Sequence, residues 1–315
     1  MFLNKKLIIL FSIIMCFSMI LSGCGTKKTE IQKEGYYQMA DNRGKVIKLN
    51  HPPERIVSLA LCSDEILLEL VSKDRIVAVT NLSNDPGISN IVEQSKDIFK
   101  LPNQNVETIV SLKPDIVLAA DWHSKDLINA LEEMGLNVYV YKTPDTIEEV
   151  KKLITDLSKL VNSADKGKEI IKDMDIALNK AQNKVKDIPA DKRKVIVALS
   201  SMGCYGGTGS MLDDIYKNSF VINGVSRLGI DKNGTLSKEQ LVYVNPDIIM
   251  ISTWSYEDKS YSALDKEILD DDALKTIKAI KNQNIIKIDS KYTYATSQYV
   301  VYAVENIIKK VYPEN

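Results

Sequence analysis

Two fourteen-residue stretches of this chain can be laid over one another at a single constant offset, the one that puts Glu107 on Glu239. Asn105-Val106-Glu107-Thr108-Ile109-Val110-Ser111-Leu112-Lys113-Pro114-Asp115-Ile116-Val117-Leu118 aligns with Ser237-Lys238-Glu239-Gln240-Leu241-Val242-Tyr243-Val244-Asn245-Pro246-Asp247-Ile248-Ile249-Met250, and Glu, Pro and Asp match. Each copy reads as a short helix, a Pro-Asp break and a buried apolar strand. A unit that recurs in this way predicts two related lobes, and the cleft between two lobes is where small ligands preferentially bind.

Around each copy, short apolar runs alternate with helical patterns. Ile56–Leu61, Ile76–Val79, Ile116–Ala120 and Val138–Tyr141 read as strands, with helices from Ser63, which caps the first of them, and around Ser124–Met134. The runs are continuously apolar, as expected when helices cover both faces of a parallel sheet. Met39–Leu49 reads as a small hairpin turning at Asp41-Asn42-Arg43-Gly44. Thr146–Leu160 is amphipathic, and a second helix runs from Ser163 to about Asp187, or roughly 37 Å. The alternation then restarts with strands at Lys194–Leu199, Ile248–Ile251 and Ile285–Ile288 and a last helix at about Ser297–Lys310. The expected fold is α/β: two similar lobes with mainly parallel sheets, residues 37–160 and 190–315, joined by one long rigid helix at 161–189, with the ligand cleft between them.

The leader, positions 1–23, begins with Lys5 and Lys6 and continues as an apolar run, the composition of a secretion signal. The run approaches the ~20 residues needed to span a bilayer. Leu21-Ser22-Gly23-Cys24 decides the reading, because it resembles the lipobox of bacterial lipoproteins, in which the cysteine is lipidated and becomes the new N-terminus. The signal is expected to be removed and Cys24 to carry the acyl chains, with palmitate among them, that anchor the chain to the extracytoplasmic face of the cell membrane. Residues 24–36 are polar and read as a flexible tether.

Hydrophobic residues make up 44% and charged residues 26%, a globular balance. Loss of residues 1–23 leaves 39 basic against 42 acidic side chains, a net charge of −3, with no basic stripe to suit nucleic acid. Cys16 lies in the leader, so Cys62 and Cys204 remain in the body and read as small buried thiols. The two histidines, His51 and His123, are too few for a bare metal site of the usual kind. No nucleophile elbow, zinc-protease helix, phosphate loop or dinucleotide fingerprint is present. The glycine-rich Gly203-Cys204-Tyr205-Gly206-Gly207-Thr208-Gly209 lacks phosphate-cradle spacing, and reads either as a flexible turn or as a place where backbone approaches a ligand. The chain is therefore expected not to be an enzyme and to hold no cofactor or metal of its own.

What gathers at strand carboxyl ends is aromatic and polar. Trp122 and His123 follow one strand, Trp254 and Tyr256 another, Tyr205 a third, and Tyr292 and Tyr294 a fourth. In open α/β sheets ligands sit outside those ends, and aromatic faces suit a large, flat or partly apolar ligand. Equally, these rings could simply pack the interface between lobes. With Ser63, they make up the candidate ligand-binding set.

Pro53-Glu54-Arg55-Ile56-Val57-Ser58-Leu59, Ser63-Asp64-Glu65-Ile66-Leu67 and the two repeat segments resemble the periplasmic-binding-protein family for iron–siderophore, haem and cobalamin uptake, over residues 37–313. The resemblance implies a binding protein with a stiff helical connector and modest lobe motion, which hands its ligand to an ABC permease dimer driven by a cytoplasmic ATPase. It also implies that Glu107 and Glu239, at matching lobe tips, pair with permease arginines. Trp254 stands where a haem-binding relative would carry a histidine, and the five arginines avoid the expected cleft-facing strand ends, which disfavours anionic catecholates. The expectation is a lipid-anchored protein that captures a ferric siderophore-type chelate. A corrinoid is the alternative cargo, and a surface sensor lipoprotein the alternative of another class.

Overall fold

The computed structural model describes residues 37–200, 203–254 and 270–313. The leader, Cys24, the tether and Tyr256 lie outside the described residues. The first lobe opens with the expected hairpin, β1 (Tyr37–Ala40) antiparallel to β2 (Val46–Leu49). Its sheet is parallel throughout, in the order β5 (Lys100–Leu101), β4 (Ile76–Thr80), β3 (Ile56–Ser58), β6 (Ile116–Ala120), β7 (Val138–Tyr141). The second lobe repeats the arrangement with β10 (Ile222–Asn223), β8 (Val195–Ser200), β11 (Ile248–Ser252) and β12 (Ile285–Ile288), all parallel, plus β9 (Gly203–Tyr205) antiparallel to β8. In both sheets the chain first adds a strand on one side of its central strand and then crosses to the other. The crossing creates a crevice outside the carboxyl ends of β3 and β6, and of β8 and β11, where ligands of such sheets bind.

The helices are α1 (Leu61–Leu70), α2 (Val106–Ser111), α3 (Lys125–Glu133), α4 (Ile147–Leu160), α5 (Ala164–Gln182), α6 (Met211–Asn218), α7 (Lys238–Val244) and α8 (Val301–Val311), with single turns between them. Successive strand residues enter different cores, which is why the runs are apolar without alternation. Ile116, Leu118 and Ala120 of β6 face one cluster, while Val117 and Ala119 face another. In β8, Ile196 and Ala198 join the first of these clusters and Val197 and Leu199 a third. The largest cluster thus runs through both lobes, filled by Leu153 and Leu157 of α4, Ile170 and Met174 of α5 and Val304 and Ile308 of α8.

The repeat is a repeat of hydrogen bonds as well as of residues. α2 and α7 begin at the same offset as β6 and β11 do, and the residue before each Pro-Asp pair, Lys113 or Asn245, is left-handed with φ of 49° or 48°. Asp115 Oδ2 accepts from the backbone N–H of Glu54 (2.7 Å) and Arg55 (2.9 Å), just before β3. Asp247 Oδ2 accepts from Val195 N–H (2.9 Å) at the start of β8. Asn137 and Asn284, each preceding the next strand, donate to the carbonyls of Asp115 and Asp247 respectively.

Two details differ from the sequence reading. α5 stops at Gln182 after 19 residues, about 28 Å, because the chain tightens into i→i−3 bonds from Lys184 to Ala181 and Val185 to Gln182. Val185 stays fully buried in those turns, so the apolar periodicity outlasts the helix. Ser63 does not cap α1, which starts two residues earlier; its hydroxyl donates back to the Ala60 carbonyl at 2.9 Å.

Asp115→Ala and Asp247→Ala should each lower the unfolding free energy by about 1–3 kcal/mol in urea titrations. Their effects should add in the double variant, because the two clamps share no partner.

Candidate functional site

The loops that leave the carboxyl ends of the two sheets meet. From the first lobe, the turn after β4 brings Asp85 to Trp254, which follows β11: the indole Nε1–H donates to Asp85 Oδ2 at 2.9 Å. Asn90 Nδ2 donates to the Lys291 carbonyl beyond β12 at 2.8 Å. At the other edge Asp145, after β7, pairs with Lys232, beyond β10, at 2.7 Å. These contacts bring together the loops beyond the carboxyl ends of the two sheets.

Trp122 and Trp254 occupy equivalent places, each just past an equivalent strand and related by the same offset as the repeat. Trp122 is 62% exposed and stacks on His123 with centroids 3.9 Å apart. Trp254 meets Tyr294 edge-on at 6.4 Å, and Tyr294 stacks on Tyr205 at 6.1 Å, giving the second lobe a three-ring aromatic wall.

Three of the expected ligand contacts sit elsewhere. His123 is buried, with both ring nitrogens engaged: Nδ1 with the backbone of Ala120, Nε2 with the Leu59 carbonyl and Gln104. It braces the turn on which Trp122 is displayed. Ser63 is fully buried, with its hydroxyl bonded to Ser58, Ala60 and Tyr141. Tyr292 turns away from Tyr294 toward Tyr302 (5.6 Å), beneath the Lys291 ammonium, and lines a cavity of about 450 Å³ with Tyr299 and Asn90.

The glycine-rich turn is explained by its own lobe. A side chain at Gly207 would meet the Asp231 and Ile230 carbonyls at 2.2 and 2.4 Å, so the close backbone approach there is to another loop of the chain. A second cavity, about 400 Å³, lies by the hairpin turn, β7 and α4. Its charges are already matched, Lys142 with Glu149 and Lys152 with Asp156.

Arginine is used as scaffolding. Arg43 pairs with Asp41 and Glu132, Arg55 donates to the Leu112 and Lys113 carbonyls, Arg75 to those of Pro53 and Val161, and Arg193 lies over Phe220. Arg227 is exposed in the turn after β10. Burial pushes the thiols of Cys62 and Cys204 up to about 12, which keeps both protonated and unreactive at neutral pH.

Glu107 and Glu239 are exposed in the first turns of α2 and α7, behind the capping side chains of Asn105 and Ser237. Gln104, in the turn just before Glu107, reaches His123 beyond the carboxyl end of β6. Glu107 therefore lies at the same end of its lobe as the crevice, and Glu239 at the equivalent place on the other. The residues that sequence reasoning missed are Asp85, Asn90, Asp145 and Lys232. Asp85-Pro86-Gly87 is legible as a turn, but no local pattern says that it touches the other lobe.

The inner seam between lobes is acidic and buried. Glu65 accepts from the Asn90 backbone and side-chain amides and from Ser297, while Gln298 donates to its carbonyl. Burial raises the carboxyl of Glu65 and pushes that of its neighbour Asp64 up to about 7, against donation from the Thr80 amide and hydroxyl. A carboxyl that holds its proton in the folded state where the unfolded chain has lost it makes stability fall as pH rises from about 4 to about 7. Asp64→Asn should flatten that slope, removing on the order of 3 kcal/mol of its fall in urea unfolding between about pH 4.5 and 7.5, with the remainder due to Glu65.

Residues 56–292 match the family model described as periplasmic binding protein. The chain is 25% identical to the uncharacterised ABC transporter substrate-binding lipoprotein YvrC of Bacillus subtilis, with 98% of each chain covered. It is 23% identical to the Fe(3+)-citrate-binding protein YfmC of the same organism, again over 98% of each. A crystal structure of a possible iron-binding, periplasmic solute-binding protein from Staphylococcus epidermidis shares the fold, with a TM-score of 0.70 at 22% identity, covering 83% of this chain and 100% of that one.

Proposed function

Because the chain belongs to the periplasmic binding protein family, whose members are binding components of transporters and not enzymes, we propose that it captures a ferric siderophore-type complex outside the cytoplasm and delivers it to an ABC permease dimer. The observation that carries this reading is the pair of repeat-equivalent tryptophans, Trp122 and Trp254, placed past equivalent strands where the crevices of the two lobes face each other. Broad aromatic faces suit a bulky chelate. With four of the five arginines tied to scaffold partners, no arginine cluster is left to neutralise a polyanion, so a hydroxamate-type complex fits better than a ferric tris-catecholate. The full-length likeness to a protein named for binding ferric citrate supports iron.

Anchoring is proposed through lipid on Cys24. Leu21-Ser22-Gly23-Cys24 supports it, as does the likeness to a protein named a lipoprotein. Among the described residues no helix is long and apolar enough to cross a membrane. Docking is proposed through Glu107 and Glu239, whose equivalent exposed positions suit a two-fold permease.

Saturable quenching of tryptophan emission by ferrioxamine B, a ferric hydroxamate, is expected at submicromolar concentration. Trp122→Ala should weaken it by about tenfold or more, the loss of one stacked aromatic face. A response to cyanocobalamin instead would make the cargo a corrinoid. No response to either would remove the aromatic-cleft reading. Glu107→Ala combined with Glu239→Ala should abolish uptake into cells while leaving ligand affinity unchanged; uptake at the wild-type rate would sink the docking assignment.

A further inference from the structure

We infer that Asp85 and Trp254 form a latch across the cleft, which the ligand must displace, so that Asp85 sets affinity by positioning Trp254. The two tryptophans are equivalent in the repeat, yet their surroundings are opposite. Trp122 stands 62% exposed on its own lobe. Trp254 is partly buried against the other lobe, seated on the turn Asp85-Pro86-Gly87. That turn supplies an acceptor for the indole N–H and a missing side chain for the ring: a Cβ on Gly87 would lie 2.7 Å from Trp254 Cδ1. The other carboxylate oxygen of Asp85 accepts from the Gly87 amide at 2.9 Å, so both oxygens are in use and the seat is rigid.

The contacts between lobes divide into those that can part and those that cannot. The Glu65 cluster is buried and bonded through Asn90, Ser297 and Gln298, which makes it a fixed pivot. Asn90, a short step along the chain from Asp85, belongs to that pivot and also holds the Lys291 carbonyl. At the opposite edge the Asp145–Lys232 pair joins partly exposed side chains, and such a pair holds little in water. The Asp85–Trp254 contact lies between these extremes, with one charged hydrogen bond and one packed ring on a single turn. A ligand that needs the Trp254 face must break it. Apparent affinity then equals intrinsic affinity scaled by the fraction of molecules already unlatched.

This inference rests on the proposed cargo only in its second test. In the first, Trp122→Phe leaves Trp254 as the sole tryptophan in the full chain, held in detergent and free of ligand. Asp85→Ala should shift its emission to the red and raise its quenching by acrylamide. Gly87→Ala, which keeps the carboxylate and presses hardest on the ring, 2.7 Å from Cδ1 against 3.2 Å from Asp85 Oδ1, should do the same. Unchanged emission in both variants overturns the latch. In the second, with Trp122 restored, stopped-flow binding of ferrioxamine B should show association about tenfold faster in Asp85→Ala, with dissociation unchanged. Weaker binding caused by faster dissociation would mean that Asp85 grips the cargo, and overturns the positioning role. If neither wild type nor variant binds ferrioxamine B or cyanocobalamin, the cargo reading fails and the ligand-free emission alone decides the latch.

Discussion

One carboxylate per lobe, Asp115 or Asp247, ties the strand that follows it to the start of the central strand of its sheet. Each accepts the backbone amide that opens the central strand, while its own amide donates to the facing carbonyl at Arg55 or Val195. The bond sets the parallel register Ile56 opposite Ile116 and Ile196 opposite Ile248, and with it the height at which each pair of strands ends. Everything displayed beyond the carboxyl ends inherits that height. Trp122 and Trp254 are level with one another in their lobes because the clamps are, and Glu107 and Glu239 sit at equivalent tips for the same reason.

The lobes are equivalent in plan but joined unevenly. On the helical side the largest core runs from β6 through α4, α5 and α8 to β8 and β11, so separation there would expose apolar surface at roughly 25 cal/mol per Å². Glu65, Asn90 and Ser297 add a buried polar seam that is costly to leave half-bonded. On the crevice side the lobes meet through the Asp85–Trp254 bond and the partly exposed Asp145–Lys232 pair. The pivot is acidic, and the two adjacent carboxyls of Asp64 and Glu65 resist ionisation because burial deprives them of water.

Most of the scaffold was legible along the chain. The repeat, the strands at Ile56, Ile116, Val195 and Ile248, and the helices at Lys125 and Ile147 follow from local patterns strong enough to survive tertiary packing. The two-residue strands β5 and β10 were not legible, because so short a run has no period to detect. The end of α5 is hidden in the sequence because Val185 keeps helical spacing through turns. The candidate site was legible as a set of aromatic positions, not as a geometry. His123 and Ser63 have the polarity of ligand contacts, but their partners are backbone groups, hydroxyls and the Gln104 amide of the same lobe. Tyr292 and Tyr294 are near neighbours on one turn and face different surroundings. Asp85 joins Trp254 from 169 residues away in sequence, and only the fold brings that acceptor to that indole.

The proposed cargo is one bulky metal complex between the two lobes, held by aromatic faces with little help from arginine. An anomalous difference map at the iron absorption edge, from crystals grown with a ferric hydroxamate, locates the metal without assumptions about the chelator. One peak is expected, between the indoles of Trp122 and Trp254. A peak in the cavity beside Tyr292 and Tyr299, or an iron site on the outer surface of either lobe with the crevice empty, would contradict it.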